Sequence, residues 1–112
     1  MMTKIVISPE AQRDLVEIGD YVAFQLHNRS AARKLISNLR KAVFSLRQFP
    51  EAGTPLVNDG QNTSFRYLVC GNYMIFYHLS SHSAHIDRVL YGRRNYLKLL
   101  LGSQWEDDTE FS

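Results

Sequence analysis

With 112 residues, 45% of them hydrophobic, and a single cysteine, the chain has the size and composition of one globular domain, neither a repeat array nor a disulfide scaffold. No apolar run approaches the roughly 20 residues a membrane helix needs, and the opening MMTKIVIS is too short for the apolar region of a signal peptide, so the expected location is cytoplasmic. The formal net charge of +2 hides an asymmetry: His27 to Gln104 holds eleven basic residues against three acidic ones, while four acids crowd the stretch from Trp105 to Ser112. A surplus of eight positive charges in the middle of the chain favours an anionic partner, either nucleic acid or an acidic protein segment.

KIVI, Lys4 to Ile7, reads as a short β-strand that stops at Ser8-Pro9. Serine followed by proline is a good helix start, because the hydroxyl accepts an orphan backbone N–H and proline at the first position has none to satisfy. Leu15, Ile18, Val22 and Leu26 recur at helical spacing and predict a helix from Pro9 to about Leu26. After HNRS, Ser30 is the expected cap of a second amphipathic helix. It runs from Ala31 to about Gln48, with Leu35, Ile36, Leu39, Val43 and Leu46 inward and Arg33, Arg40, Lys41 and Arg47 in a line on the outside. Two helices joined by so few residues form an antiparallel hairpin.

Phe49 to Ser64 contains two prolines and two glycines and reads as a surface loop. FRYLVC then leads through Gly71-Asn72 into YMIFYHL, and SSHS closes a second hairpin into HIDRVLY, which ends at Gly92. A short helix is expected from Arg94 to Leu101. The order is strand, two helices and three strands. It implies an α+β domain, with an N-terminal strand and helical hairpin packed on a twisted antiparallel sheet (β-α-α-β-β-β) and a short C-terminal helix. The first strand joins at an edge or beside the last strand. Residues 1–102 form the single domain. Residues 103–112 are an acidic tail, read either as a flexible solubilising end or as a segment folding back over Arg93 and Arg94.

No Cys-x-x-Cys or His-x-x-x-His spacing points to a metal, no glycine-rich loop to a phosphate cofactor, and no Gly-x-Ser-x-Gly elbow to a serine hydrolase. Neither metal nor cofactor is expected. Cys70 reads as packing, and Asp87 as a structural partner for basic neighbours. What remains is a set of Arg, Tyr and His on neighbouring strands: Arg66, Tyr67, Tyr73, Tyr77, His78, Arg88, Tyr91, Arg93, Arg94 and Tyr96. Arginine presents a planar fork to phosphate or carboxylate, and tyrosine stacks or hydrogen-bonds. Such a set suits metal-free RNA cleavage and equally suits docking on an acidic protein. Because strand side chains alternate, half of these aromatics must face the core.

Taken together, ISPEAQRDLVEIGDYV, the loop FPEAGTP, the hairpin FRYLVCGNYMIFYHL and the closing RVLYGRRNY resemble the RelE/ParE superfamily, the toxic halves of type II toxin–antitoxin systems, over roughly Lys4 to Leu101. The resemblance implies the same fold, and it implies growth arrest and plasmid stabilisation, a cognate antitoxin as partner, and contact with operator DNA only through that antitoxin. At the positions where mRNA endonucleases of the YoeB type carry a glutamate, an arginine and a His-Tyr pair, this chain has Leu56, Met74 and Leu90-Tyr91, so only the tyrosine is kept. The ParE branch is closer. RVLYGRRN is similar to its closing motif, with tyrosine for histidine and asparagine for aspartate, and that branch blocks DNA gyrase and is not a nuclease. The implied contact set for target or antitoxin is Arg66, Tyr91, Arg93, Arg94 and Tyr96. On the alternative reading, a ribosome-dependent mRNA endonuclease acting without metal, the working residues are Arg66, His78, Tyr91, Arg93 and Arg94.

Overall fold

The computed structural model describes residues 2–92. The expected C-terminal helix, the tail, and Arg93, Arg94 and Tyr96 lie outside the described residues. Strand β1 (Lys4–Ile7) leads into helix α1 (Pro9–Asp20), which continues as a π-helical turn over Tyr21–Gln25. Helix α2 (Arg29–Ser45) is followed by β2 (Thr54–Asn58), β3 (Gln61–Cys70), β4 (Tyr73–Ser80) and β5 (Ser83–Tyr91). The five strands form one sheet in the order β1-β5-β4-β3-β2, antiparallel except where β1 runs parallel to β5 at the edge.

The predicted cap at Ser8 is present, its hydroxyl accepting from the Ala11 N–H at 3.0 Å. The second cap is Asn28 rather than Ser30: the Asn28 side chain accepts from the Ala31 N–H, and the helix starts two residues earlier than predicted. The first α-helix also stops short of Leu26. Its last residues widen to i→i+5 bonding, with Leu26 N–H on the Tyr21 carbonyl, and Leu26 lands 55% exposed instead of inward. Helix α2 ends at Ser45, so Arg47 falls beyond it and the outer arginine line is Arg33 and Arg40.

The segment read as one long loop contains strand β2. Asp59 and Gly60, both at positive φ (55° and 76°), make the tight turn that folds β2 back on β3. This is the conformation two-residue hairpins require.

Both helices cover one face of the sheet. Ala11 and Leu15 from α1 and Leu39, Val43 and Leu46 after them pack on Ile75, Tyr77, Ala84, Ile86 and Val89. Burying each large aliphatic here stabilises by about 1.5–3 kcal/mol relative to exposure. Cys70 packs against this cluster, as expected of a small apolar side chain. A second cluster of Leu56, Phe76 and Leu90, with Phe65, Tyr67 and Met74, occupies the opposite face.

A β-bulge in β5 links sheet and helix. Tyr77 pairs Ile86 but Phe76 pairs Arg88, leaving Asp87 as the extra residue. The disrupted ladder groups are taken up by α1 and its cap: the Ser8 hydroxyl donates to the Asp87 carbonyl at 3.0 Å, and the Val89 N–H donates to the Asp14 carboxylate at 2.9 Å. Arg88 completes the joint with two bonds to the same carboxylate, at 2.8 and 2.9 Å.

Candidate functional site

Of the predicted site residues, the structure places Arg66, His78 and Tyr91, and it holds them apart. Arg66 pairs Tyr77 across β3–β4 and shares its face, the one turned to the helices. Its guanidinium donates to the carbonyls of Glu51 and Gly53, at 3.3 and 2.9 Å. Tyr77 works on the same loop: its hydroxyl donates to the Pro50 carbonyl and accepts from the Gly53 N–H, both at 2.8 Å. The loop comes so close that a Cβ on Gly53 would sit 2.5 Å from the Tyr77 oxygen. Arg66 is therefore part of a clamp on the α2–β2 connection. Burial raises the Tyr77 hydroxyl above its ordinary value of 10.0 against the lowering effect of the Gly53 bond.

His78 lies on the other face, paired with Phe65. Its Nδ1 is 2.7 Å from the Asp87 carboxylate, and its ring stacks on His85 at 4.8 Å and 9°. Burial pushes the Asp87 carboxyl above 3.8, and the two imidazoles pull it back. The expected basic partner of Asp87 is thus a histidine, while Arg88 belongs to Asp14. Among the described residues no group of three or more His, Cys, Asp or Glu is arranged to hold a metal ion.

Tyr91 stands at the far end of the sheet, opposite Tyr73 on β4. Tyr73 lies four residues along the strand from Tyr77, the partner of Arg66, or about 13 Å. The two rings meet edge to face, with centroids 5.3 Å apart. Burial raises the Tyr73 hydroxyl above 10.0, and the neighbouring Tyr91 and Tyr21 raise it further. A tyrosine so placed is a neutral donor and stacking surface at physiological pH, not a base.

These rings rim an open groove of about 940 Å3 between the C-terminal part of α1 with its π turn and the ends of β4 and β5. Ile18, Val22 and Val89 give it an apolar floor, and Glu17 and the Asp14–Arg88 pair supply its charge. Tyr21 and Tyr91 are more than half exposed at 56% and 53%. The groove therefore fits a protein segment with apolar side chains, and its Glu17 wall is unfavourable to a phosphate. Sequence reasoning missed Tyr21, which opens the π turn; such turns are frequent at functional sites.

The chain matches the family model "ParE toxin of type II toxin-antitoxin system, parDE" over residues 5–96. No curated protein matches. Two similar solved structures come from toxin–antitoxin systems. A chain of the chromosomal ParDE system from P. aeruginosa has a TM-score of 0.70 at 18% identity, covering 82% of this chain and 98% of that one. A chain of the RelBE2 toxin–antitoxin complex from Mycobacterium tuberculosis has a TM-score of 0.61 at 17% identity, covering 81% and 99%. At these identities the likeness is one of fold.

Proposed function

Because the chain belongs to the ParE toxin family of type II toxin–antitoxin systems, we propose that it is the toxin of such a pair, that it arrests growth by binding DNA gyrase, and that a cognate antitoxin neutralises it. The observation that carries the gyrase reading is the setting of Tyr91. It rims an apolar, tyrosine-edged groove with an acidic wall, which favours a protein surface over an RNA backbone. The residues an endonuclease would need support the same choice by their separation. Arg66 is engaged with backbone carbonyls, and His78 is on the opposite face of the sheet.

In this reading Tyr91 and the Arg93-Arg94 pair that follows Gly92 contact the target, with Tyr96 beside them in sequence, and Arg66 contributes through the loop it holds. Operator DNA is reached only through the antitoxin. The domain is residues 1–102.

The alternative, ribosome-dependent cleavage of mRNA, has one observation in its favour. Asp87 fixes the His78 ring through Nδ1, the arrangement that orients a general base.

Brief induction without antitoxin separates the two, with thymidine and leucine incorporation followed in parallel. Thymidine incorporation falling first, with transcripts intact and a DNA-damage response, is the expected result. It is lost in Arg93→Glu/Arg94→Glu. An immediate fall in leucine incorporation with cut transcripts, abolished by His78→Gln, overturns the gyrase reading in favour of the nuclease. Growth unaffected by the wild-type chain overturns both.

A further inference from the structure

The helical hairpin carries a second groove, of about 720 Å3, on its own outer surface. Two phenyl rings stand in it, Phe24 from the π turn and Phe44 from the last turn of α2, 56% and 46% exposed. Arg29 lies over the Phe24 ring at 5.6 Å, and Arg33, Arg40 and Lys41 complete the rim. Asp20 is the one acid there, and none of these four cations forms an ion pair among the described residues.

Exposed phenyl rings set among uncompensated cations define the complement they lack: a segment that alternates aromatic side chains with carboxylates. Trp105 to Phe111, WEDDTEF, has the required composition, with four carboxylates between two aromatic residues.

Chain geometry allows the contact. Tyr91 lines the same groove as Tyr21 and Leu26, so β5 ends beside the π turn that carries Phe24. Twelve residues lie between Gly92 and Trp105, thirteen Cα–Cα steps in all. They span up to about 43 Å when extended, against about 26 Å for the whole of α2.

We propose that residues Trp105–Phe111 dock in cis on the outer face of the helical hairpin, their carboxylates against Arg33, Arg40 and Lys41 and their rings against Phe24 and Phe44. The tail then occupies the basic face of the toxin, and an anionic partner reaches that face only by displacing it. The contact stands on the groove and its charge, independent of which cellular target the toxin binds.

Trp105 is the chain's one tryptophan, so its fluorescence reports the contact directly. In the full-length protein its emission is expected at shorter wavelength than in the same protein unfolded in urea. Arg33→Glu/Arg40→Glu, or about 1 M salt, where the screening length is about 3 Å, moves it to the unfolded position, with the circular dichroism of the fold unchanged. Wild-type emission already at the unfolded position overturns the proposal. So does a blue shift that survives Arg33→Glu/Arg40→Glu, or one that is lost instead in Arg93→Glu/Arg94→Glu, which places the tail on the arginine pair.

Discussion

Two groups of arginines divide this molecule. Arg66 and Arg88, on the sheet, are held by backbone carbonyls and by a buried carboxylate, whereas Arg33 and Arg40, on α2, project from an exposed face with no ion-pair partner among the described residues. The same side chain closes a loop in one place, locks a bulge in another, and is left for a partner in a third. Position on the strand did not predict this. Desolvation did: an arginine brought close to buried backbone groups must be satisfied from inside the fold, and it is then lost to any ligand. The charge this protein can offer outward, over the described residues, therefore lies mainly on its helices.

The sheet arginines depend most on Asp14. Asp14 is 8% exposed, and its carboxylate accepts from Arg88 and from the Val89 N–H. Asp14→Ala leaves a half-buried guanidinium and a bulge N–H without their acceptor, and should cost about 3 kcal/mol, read from urea midpoints. Asp14→Leu/Arg88→Met, which removes both charges, should recover much of that loss. If the single variant is as stable as the wild type, Arg88 is not held structurally by Asp14.

Tyr77→Phe comes next, at about 2 kcal/mol, because the Pro50 carbonyl and the Gly53 N–H both lose their partner. It also carries a pH signature. The folded state raises the Tyr77 hydroxyl above 10.0. The stability it contributes is therefore complete below pH 10 and is lost as pH rises through the raised value, where the fold must bury a phenolate. Across that alkaline range the Phe variant should lose less stability than the wild type. Parallel curves would exclude Tyr77 as the titrating group.

Much of this architecture was legible in the residues. The Ser8-Pro9 cap, the period of Leu39, Val43 and Leu46, and the alternation in YMIFYHL each determine a local element with little help from the rest of the chain. Strand β2 was legible in principle, since Asp59-Gly60 is a strong hairpin signal. It was masked by the prolines around it, which the short edge strand accommodates at Pro55 beside a register shift. The π turn left no mark, because one extra residue per turn is decided by tertiary packing, here against α2. The site was less legible than the fold. That Arg66 faces the helices and His78 does not depends on the β3–β4 register. That Arg88 reaches α1 while His78 takes Asp87 depends on a bulge which no local pattern announces.

Arg66→Ala should cost about 1 kcal/mol, since water can replace part of what its guanidinium gives the carbonyls of Glu51 and Gly53. Its effect on toxicity should follow stability and be rescued by growth at lower temperature. A variant that folds with wild-type stability and is still inactive would instead make Arg66 a contact residue.

The smallest expected effect on stability belongs to the helical arginines. Arg33→Ala and Arg40→Ala remove side chains with no ion-pair partner among the described residues, so each should change stability by no more than about 0.5 kcal/mol. Removing like charges from a crowded basic face relieves repulsion, and this offsets whatever apolar contact the methylene stems give the groove they share with Ile36 and Phe44. If the acidic tail sits on this face, that near-cancellation holds only when the tail is absent. In the full-length chain the same substitutions should then be measurably more destabilising than in a chain ending at Gly102. The difference between the two backgrounds is the coupling of the arginines to the tail, and a difference of zero leaves the helical arginines free.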